Sequence, residues 1–136
     1  MDINTHLQAV ESHGDFRVLR KAKRVERFSE APIESPLKVL VVDTETTGTT
    51  QKDQIIENAG VMVEVCPKTG RIGQVLAISE GLQEPTVPID PAAQKVHGIS
   101  MDMVKGHSID KESYVKLYCQ ADLIIAHNAQ FDRPFI

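Results

Sequence analysis

Apolar residues fall in short dense runs along this chain, and each run predicts an element. Leu37 to Val42 is apolar except for Lys38. Such a run predicts a strand over 37–43, covered on both faces as inside a parallel sheet. Ile55 to Val65 (IIENAGVMVEV) is rich in β-branched residues and predicts a second strand; Arg71 to Ser79 (RIGQVLAIS) predicts a third. The turn sequence Pro67-Lys68-Thr69-Gly70 separates these two so narrowly that they should pair antiparallel. Leu123 to Ala126 predicts another buried strand. Between them, Pro85 to Pro91 reads as extended chain. Ala92 to Val96 and Met101 to Lys105 read as short helical turns around His97-Gly98-Ile99. Lys111 to Gln120 reads as a modest helix, and Ala129 begins one more after His127-Asn128. Three strands, then helix and strand, predict an α/β fold whose sheet is part antiparallel and part parallel.

Residues 1–36 differ from the rest. Asn4 or Thr5 is placed to cap a short helix that Gly14 ends after His13. Phe16, Val18, Leu19 and Val25 are too sparse for a core stripe, and Pro32 and Pro36 punctuate a linker. Residues 1–36 therefore read as an appendage, and 37–136 as the folded domain. Charge sharpens this division. Residues 17–27 hold six basic side chains (Arg17, Arg20, Lys21, Lys23, Arg24, Arg27) against Glu26 alone, while the whole chain of 136 residues carries a net charge of −4. A run like this is more often a solvated helix face than a nucleic-acid patch. Aromatics are scarce at 4%, so the core must be aliphatic. Two cysteines, Cys66 and Cys119, make neither a disulfide framework nor a zinc site and read as reduced, partly buried thiols. No signal peptide, transmembrane run or lipidation motif is visible, so a cytoplasmic location follows by default and no membrane partner is expected.

The candidate chemistry sits where the first strand ends. Asp43-Thr44-Glu45-Thr46-Thr47-Gly48 puts two carboxylates two residues apart, on one side of the chain if the backbone stays extended. Two such anions repel unless a proton or cation separates them, and a divalent metal that prefers oxygen ligands, Mg²⁺ or Mn²⁺, suits them. Asp132, in His127-Asn128-Ala129-Gln130-Phe131-Asp132, repeats the pattern of an acid just beyond a buried strand. If the strands at 37–43 and 123–126 are parallel neighbours, Asp132 can face Asp43 and Glu45 from the first turn of its helix, where open α/β sheets bind ligands. Phe131 would anchor that turn, and the Asn128 amide could tie its corner. Taken singly, Asp43 could be a helix cap and Asp132 a helix-start acid. His127 reads as structural, satisfied by a backbone partner, and Glu57 as a sheet or solvent residue.

The segments DTETTG, IIENAGV, KVHGIS and HNAQFD, in that order, resemble the proofreading 3′→5′ exonucleases of the DEDD superfamily, the family of the epsilon subunits of bacterial DNA polymerase III. The resemblance covers residues 37–136. It implies a ribonuclease H-like mixed sheet flanked by helices. It implies that Asp43, Glu45 and Asp132 are metal ligands of a two-metal Mg²⁺ or Mn²⁺ site. It implies that Thr46 and its backbone hold the terminal nucleotide, that Gly48 lets the chain pass close beneath it, and that His97 lies beside its sugar or phosphate. The implied substrate is DNA with a single-stranded 3′ end, with RNA left open, and the implied partner is a DNA polymerase. The family's third motif, a His or Tyr followed by a final Asp, does not occur before Ile136. The resemblance therefore implies a C-terminally truncated domain with weak or no turnover as this chain alone. A module that binds nucleic acid, or assists a polymerase, without catalysis is the rival reading.

Overall fold

The computed structural model describes residues 2–19, 21 and 23–136. Four strands form one sheet: β1 (Leu37–Thr46), β2 (Ile55–Val65), β3 (Ile72–Leu82) and β4 (Leu123–Ala126), in the order β3-β2-β1-β4. β2 pairs antiparallel with both β1 and β3, whereas β4 lies parallel to β1. The helices are α1 (Ile3–Glu11), α2 (Pro91–His97), α3 (Met101–Val104), α4 (Lys111–Cys119) and α5 (Ala129–Asp132). α2, α3 and α4 make up the crossover from β3 to β4 that a parallel pair requires. This is the part antiparallel, part parallel α/β sheet that the sequence predicts.

One face of the sheet holds the main core. Leu40 and Val42 of β1 and Met62 of β2 pack against Leu117 of α4, with Ala126 and Tyr118 at the margin. A second cluster of Ile56, Ile89, Ile99 and Val104 pins α2 and α3 to the start of β2. Asp90 caps α2 by accepting the Ala92 N–H at 2.6 Å, and Pro91 opens the helix where no N–H is needed. Gly98, at φ 75°, takes the left-handed conformation that closes α2. His97, expected in a loop, is thus the last residue of a helix.

Several other expectations need correction. β1 is not covered on both faces along its whole length: Val39 is buried, but Val41 on the same side is 45% exposed. β4 is not buried: Leu123, Ile124 and Ile125 are 48%, 42% and 45% exposed, since β4 is the sheet's edge. α1 starts at Ile3 with Asp2 before it, so Asn4 and Thr5 lie inside the helix and cap nothing. Cys119 is exposed and Cys66 half-buried; both are free. The described residues of 17–27 form no helix. Instead Glu26 and Phe28 flank the outer edge of β3: the Glu26 carbonyl accepts the Val75 N–H at 2.8 Å, and the Phe28 N–H donates to the Gly73 carbonyl at 2.8 Å. Arg24 reaches Glu80, and Arg27 donates to Gln74. Arg20 of the basic run lies outside the described residues. Among the described residues no helix is long and apolar enough to cross a membrane.

Candidate active site

β1 continues as a strand to Thr46, so Asp43 and Glu45 fall on one face of the sheet, and Thr44 and Thr46, both buried, on the other. Register with β2 sets Asp43 opposite Ala59 and Glu45 opposite Glu57. Two carboxylates directly opposed across a strand pair repel. Burial pushes the Glu45 carboxyl above its ordinary range; His97 works against that push, and the charges of Asp43, Glu57 and Asp132 add to it.

Asp132 arrives from the neighbouring strand. The parallel ladder ends at Val42 and Ala126, and the chain then turns into α5. The Asn128 carbonyl, not its side-chain amide, ties this corner by accepting the Phe131 N–H at 2.7 Å. Phe131 is half-buried, with its ring 5.6 Å from that of Phe135. The Asp132 carboxylate, 3% exposed, meets the residue between the two other acids: its Oδ1 accepts the Thr44 N–H at 3.1 Å and the Thr44 hydroxyl at 2.7 Å. His127, expected to find a backbone partner, is exposed.

The segment after β1 is tightly tied. The buried Thr46 hydroxyl donates to the Gly48 carbonyl. Asp53 accepts from both the hydroxyl and N–H of Thr50 at 2.7 Å and from the Thr47 hydroxyl at 2.8 Å, which holds its carboxyl below the ordinary range. A Cβ on Gly48 would lie 2.6 Å from Asp53 Oδ1, so a side chain there would push the Asp53 carboxylate out of these bonds. The Thr47 carbonyl accepts the Asp90 N–H at 2.7 Å, linking the segment to α2. His97 therefore stands at a fixed place beside the acids. Its Nδ1 accepts the Ile99 N–H at 3.0 Å, which leaves the proton on Nε2, and Nε2 is buried without a protein partner.

Among the described residues no three His, Cys, Asp or Glu side chains enclose a metal ion by themselves. Mg²⁺ does not require such a cage, because it is commonly bound through one or two carboxylates plus water and substrate phosphates. Asp43 and Glu45 supply oxygen ligands of the right class, and the crowding of negative charge on Glu45 is what a cation relieves. The donor set fits an open Mg²⁺ or Mn²⁺ site built on that pair, with Asp132 hydrogen-bonded to Thr44 between them in sequence.

A family model described as Exonuclease (RNase T type) matches residues 40–136. The chain belongs to this exonuclease family. Among its relatives is the DNA polymerase III subunit epsilon of Pasteurella multocida, 31% identical over 115 residues, a match covering 77% of this chain and 42% of that protein. A PolC-type DNA polymerase III of Listeria welshimeri is 36% identical over 99 residues, covering 71% of this chain and 6% of the relative. Exonuclease X, solved in complex with 5′ overhanging duplex DNA, superposes with a TM-score of 0.54 at 30% identity, covering 72% of this chain and 53% of that one. The exonuclease chain thus spans about half the length, or much less, of these relatives. Membership makes it a nuclease-type hydrolase domain of the epsilon kind.

Two neighbours of these acids are not marked by the sequence. Glu57 is the sheet residue expected of it, and it also stands opposite Glu45, which only the β1–β2 register reveals. Thr44 lay inside the motif, but nothing in its spacing marks it as the partner of Asp132.

Proposed function

We propose that this domain is a metal-dependent 3′→5′ exonuclease that removes nucleoside 5′-monophosphates from single-stranded DNA ends. The observation that carries this reading is the pair Asp43 and Glu45, held on one face at the end of β1 with Glu45 charge-crowded, in a chain of the exonuclease family. In the reaction a water oxygen attacks phosphorus, the bond from phosphorus to the 3′ oxygen breaks, and that oxygen takes a proton. Asp43 and Glu45, with Asp132 beside them, would hold Mg²⁺ or Mn²⁺. When bound, such ions would activate the water and stabilise the leaving oxygen. The backbone of Thr46 to Gly48 would lie under the terminal nucleotide, since the Thr46 hydroxyl is already engaged. His97 would donate from Nε2 to its sugar or phosphate, which gives that buried donor a partner. DNA is preferred over RNA because Exonuclease X was solved on DNA. A replicative DNA polymerase is the proposed partner, because one relative is a DNA polymerase III subunit and another a PolC-type DNA polymerase III.

The rival, a nucleic-acid-binding module without turnover, is favoured by the lack of a three-ligand cluster among the described residues. A 5′-labelled single-stranded DNA incubated with the chain and Mn²⁺ separates the two. A faint ladder of 3′-shortened products at most is expected, in keeping with the weak turnover that the sequence implies for this chain alone. It should fall in Asp43→Ala by more than the roughly 10- to 100-fold typical of losing an outer-shell partner. DNA binding that is independent of metal, with no ladder, would overturn the reading in favour of the module.

A further inference from the structure

Thr44 separates Asp43 from Glu45, and its side chain points to the opposite face of β1. β1 and β4 pair in parallel only as far as Val42 and Ala126. The Thr44 N–H therefore emerges beyond the end of β4 with no strand to accept it. The Asp132 carboxylate takes that place in the ladder. Its Oδ1 receives two donors from one residue, the backbone N–H at 3.1 Å and the hydroxyl at 2.7 Å. Two donors converging on one oxygen fix the plane of the carboxylate and so the direction of Oδ2. Both partners are buried, Thr44 and Asp132 each 3% exposed, so neither finds water as a substitute.

We propose that Thr44 is the positioning residue for Asp132: it locks the third carboxylate in register with Asp43 and Glu45, so that one strand sets the geometry of all three acids. This rests on the metal-binding reading above. Thr44 is joined by peptide bonds to both other acids and moves with them. α5 is four residues long and supplies little rigidity of its own. Without the hydroxyl, Asp132 keeps a single bond to Thr44 and gains freedom to rotate.

Mn²⁺ binding to the full chain, followed by electron paramagnetic resonance, tests this without turnover. Thr44→Val, which keeps the shape and the N–H, is expected to weaken Mn²⁺ binding by about 10-fold, within the range for outer-shell partners. Thr44→Ser should restore it. In an Asp132→Asn background Thr44→Val should have no further effect, which a merely structural role would not produce. If Thr44→Val does not fold, Thr44→Ala carries the same expectation. Unchanged Mn²⁺ affinity in Thr44→Val, beside weakened affinity in Asp132→Asn, would overturn the proposal and leave the metal reading standing. An unaltered chain that binds no Mn²⁺ would overturn both.

Discussion

Glu45 is the residue on which most of the site's charge converges. Partly buried, and facing Glu57 across the strand pair and Asp43 along its own strand, it holds its proton more tightly in the folded chain than in the unfolded one. The sign of the resulting pH dependence follows from proton counts. Between the ordinary carboxyl value of 4.5 and the raised one, the folded state binds more protons, so stability falls as pH rises through that window. Below 4.5 the cost is absent; above the raised value it is fully present. Glu45→Gln removes it. In metal-free buffer the variant should melt at the same temperature as the unaltered chain near pH 4, and its advantage should grow through the window and level off by neutral pH. An advantage independent of pH would show that ionisation of Glu45 is not its source. The shared face of Asp43 and Glu45 was legible in the sequence, because the i, i+2 rule needs only an extended backbone. Glu57 and Thr44 were not, because their roles depend on which residues of other strands stand beside them.

At the scale of elements, the strands were the most legible part. β2 and β4 begin and end where their apolar runs do, and β1 runs three residues past its expected end at Asp43, through Glu45 and Thr46. Pairing with β2 as far as Thr46 holds those polar residues extended, a tertiary cause that the hydrophobic pattern does not carry. The N-terminal segment was the least legible. Its basic run predicted a helix face, yet Glu26 and Phe28 spend their backbone groups on the edge of β3. An open strand edge invites pairing, and covering it satisfies groups that side-chain pattern alone does not reveal. Phe28→Pro removes the donor to the Gly73 carbonyl and should loosen the neighbouring contact as well. Amide exchange at Val75, which donates to Glu26, is expected to speed up by roughly 2- to 10-fold, as for a net loss of about 0.5–1.5 kcal/mol. Exchange at Thr44 should not change. Equal acceleration at both amides would mean that the segment stabilises the whole fold rather than this edge.

The whole molecule is asymmetric about its sheet. One face carries α4 and the buried cluster of Leu40, Val42, Met62 and Leu117. On the other face the register aligns Ile78, Val61, Val41 and Ile125 in a single row across all four strands. Ile78, Val41 and Ile125 in that row are each more than 40% exposed, and Leu123 adds to the patch from the neighbouring row. Asp43 and Glu45 occupy the same face: Asp43 lies two residues beyond Val41 on the strand. Sequence pattern could not reveal this asymmetry, because a run such as Leu37 to Val42 is equally apolar toward either side. A contiguous apolar patch in water drives association, and an apolar edge strand such as β4 offers unpaired backbone beside it. The chain should therefore self-associate as its concentration rises. Ile125→Thr combined with Leu123→Thr places β-branched, strand-compatible side chains at both positions while reducing the apolar surface. By analytical ultracentrifugation the double variant is expected to stay monomeric at concentrations where the unaltered chain does not. Its melting temperature should change little, because neither residue lies in the core formed with α4. Association that persists undiminished in the variant would locate the contact elsewhere, and a large loss of stability would mean that these side chains are packed within the folded chain rather than left open to water.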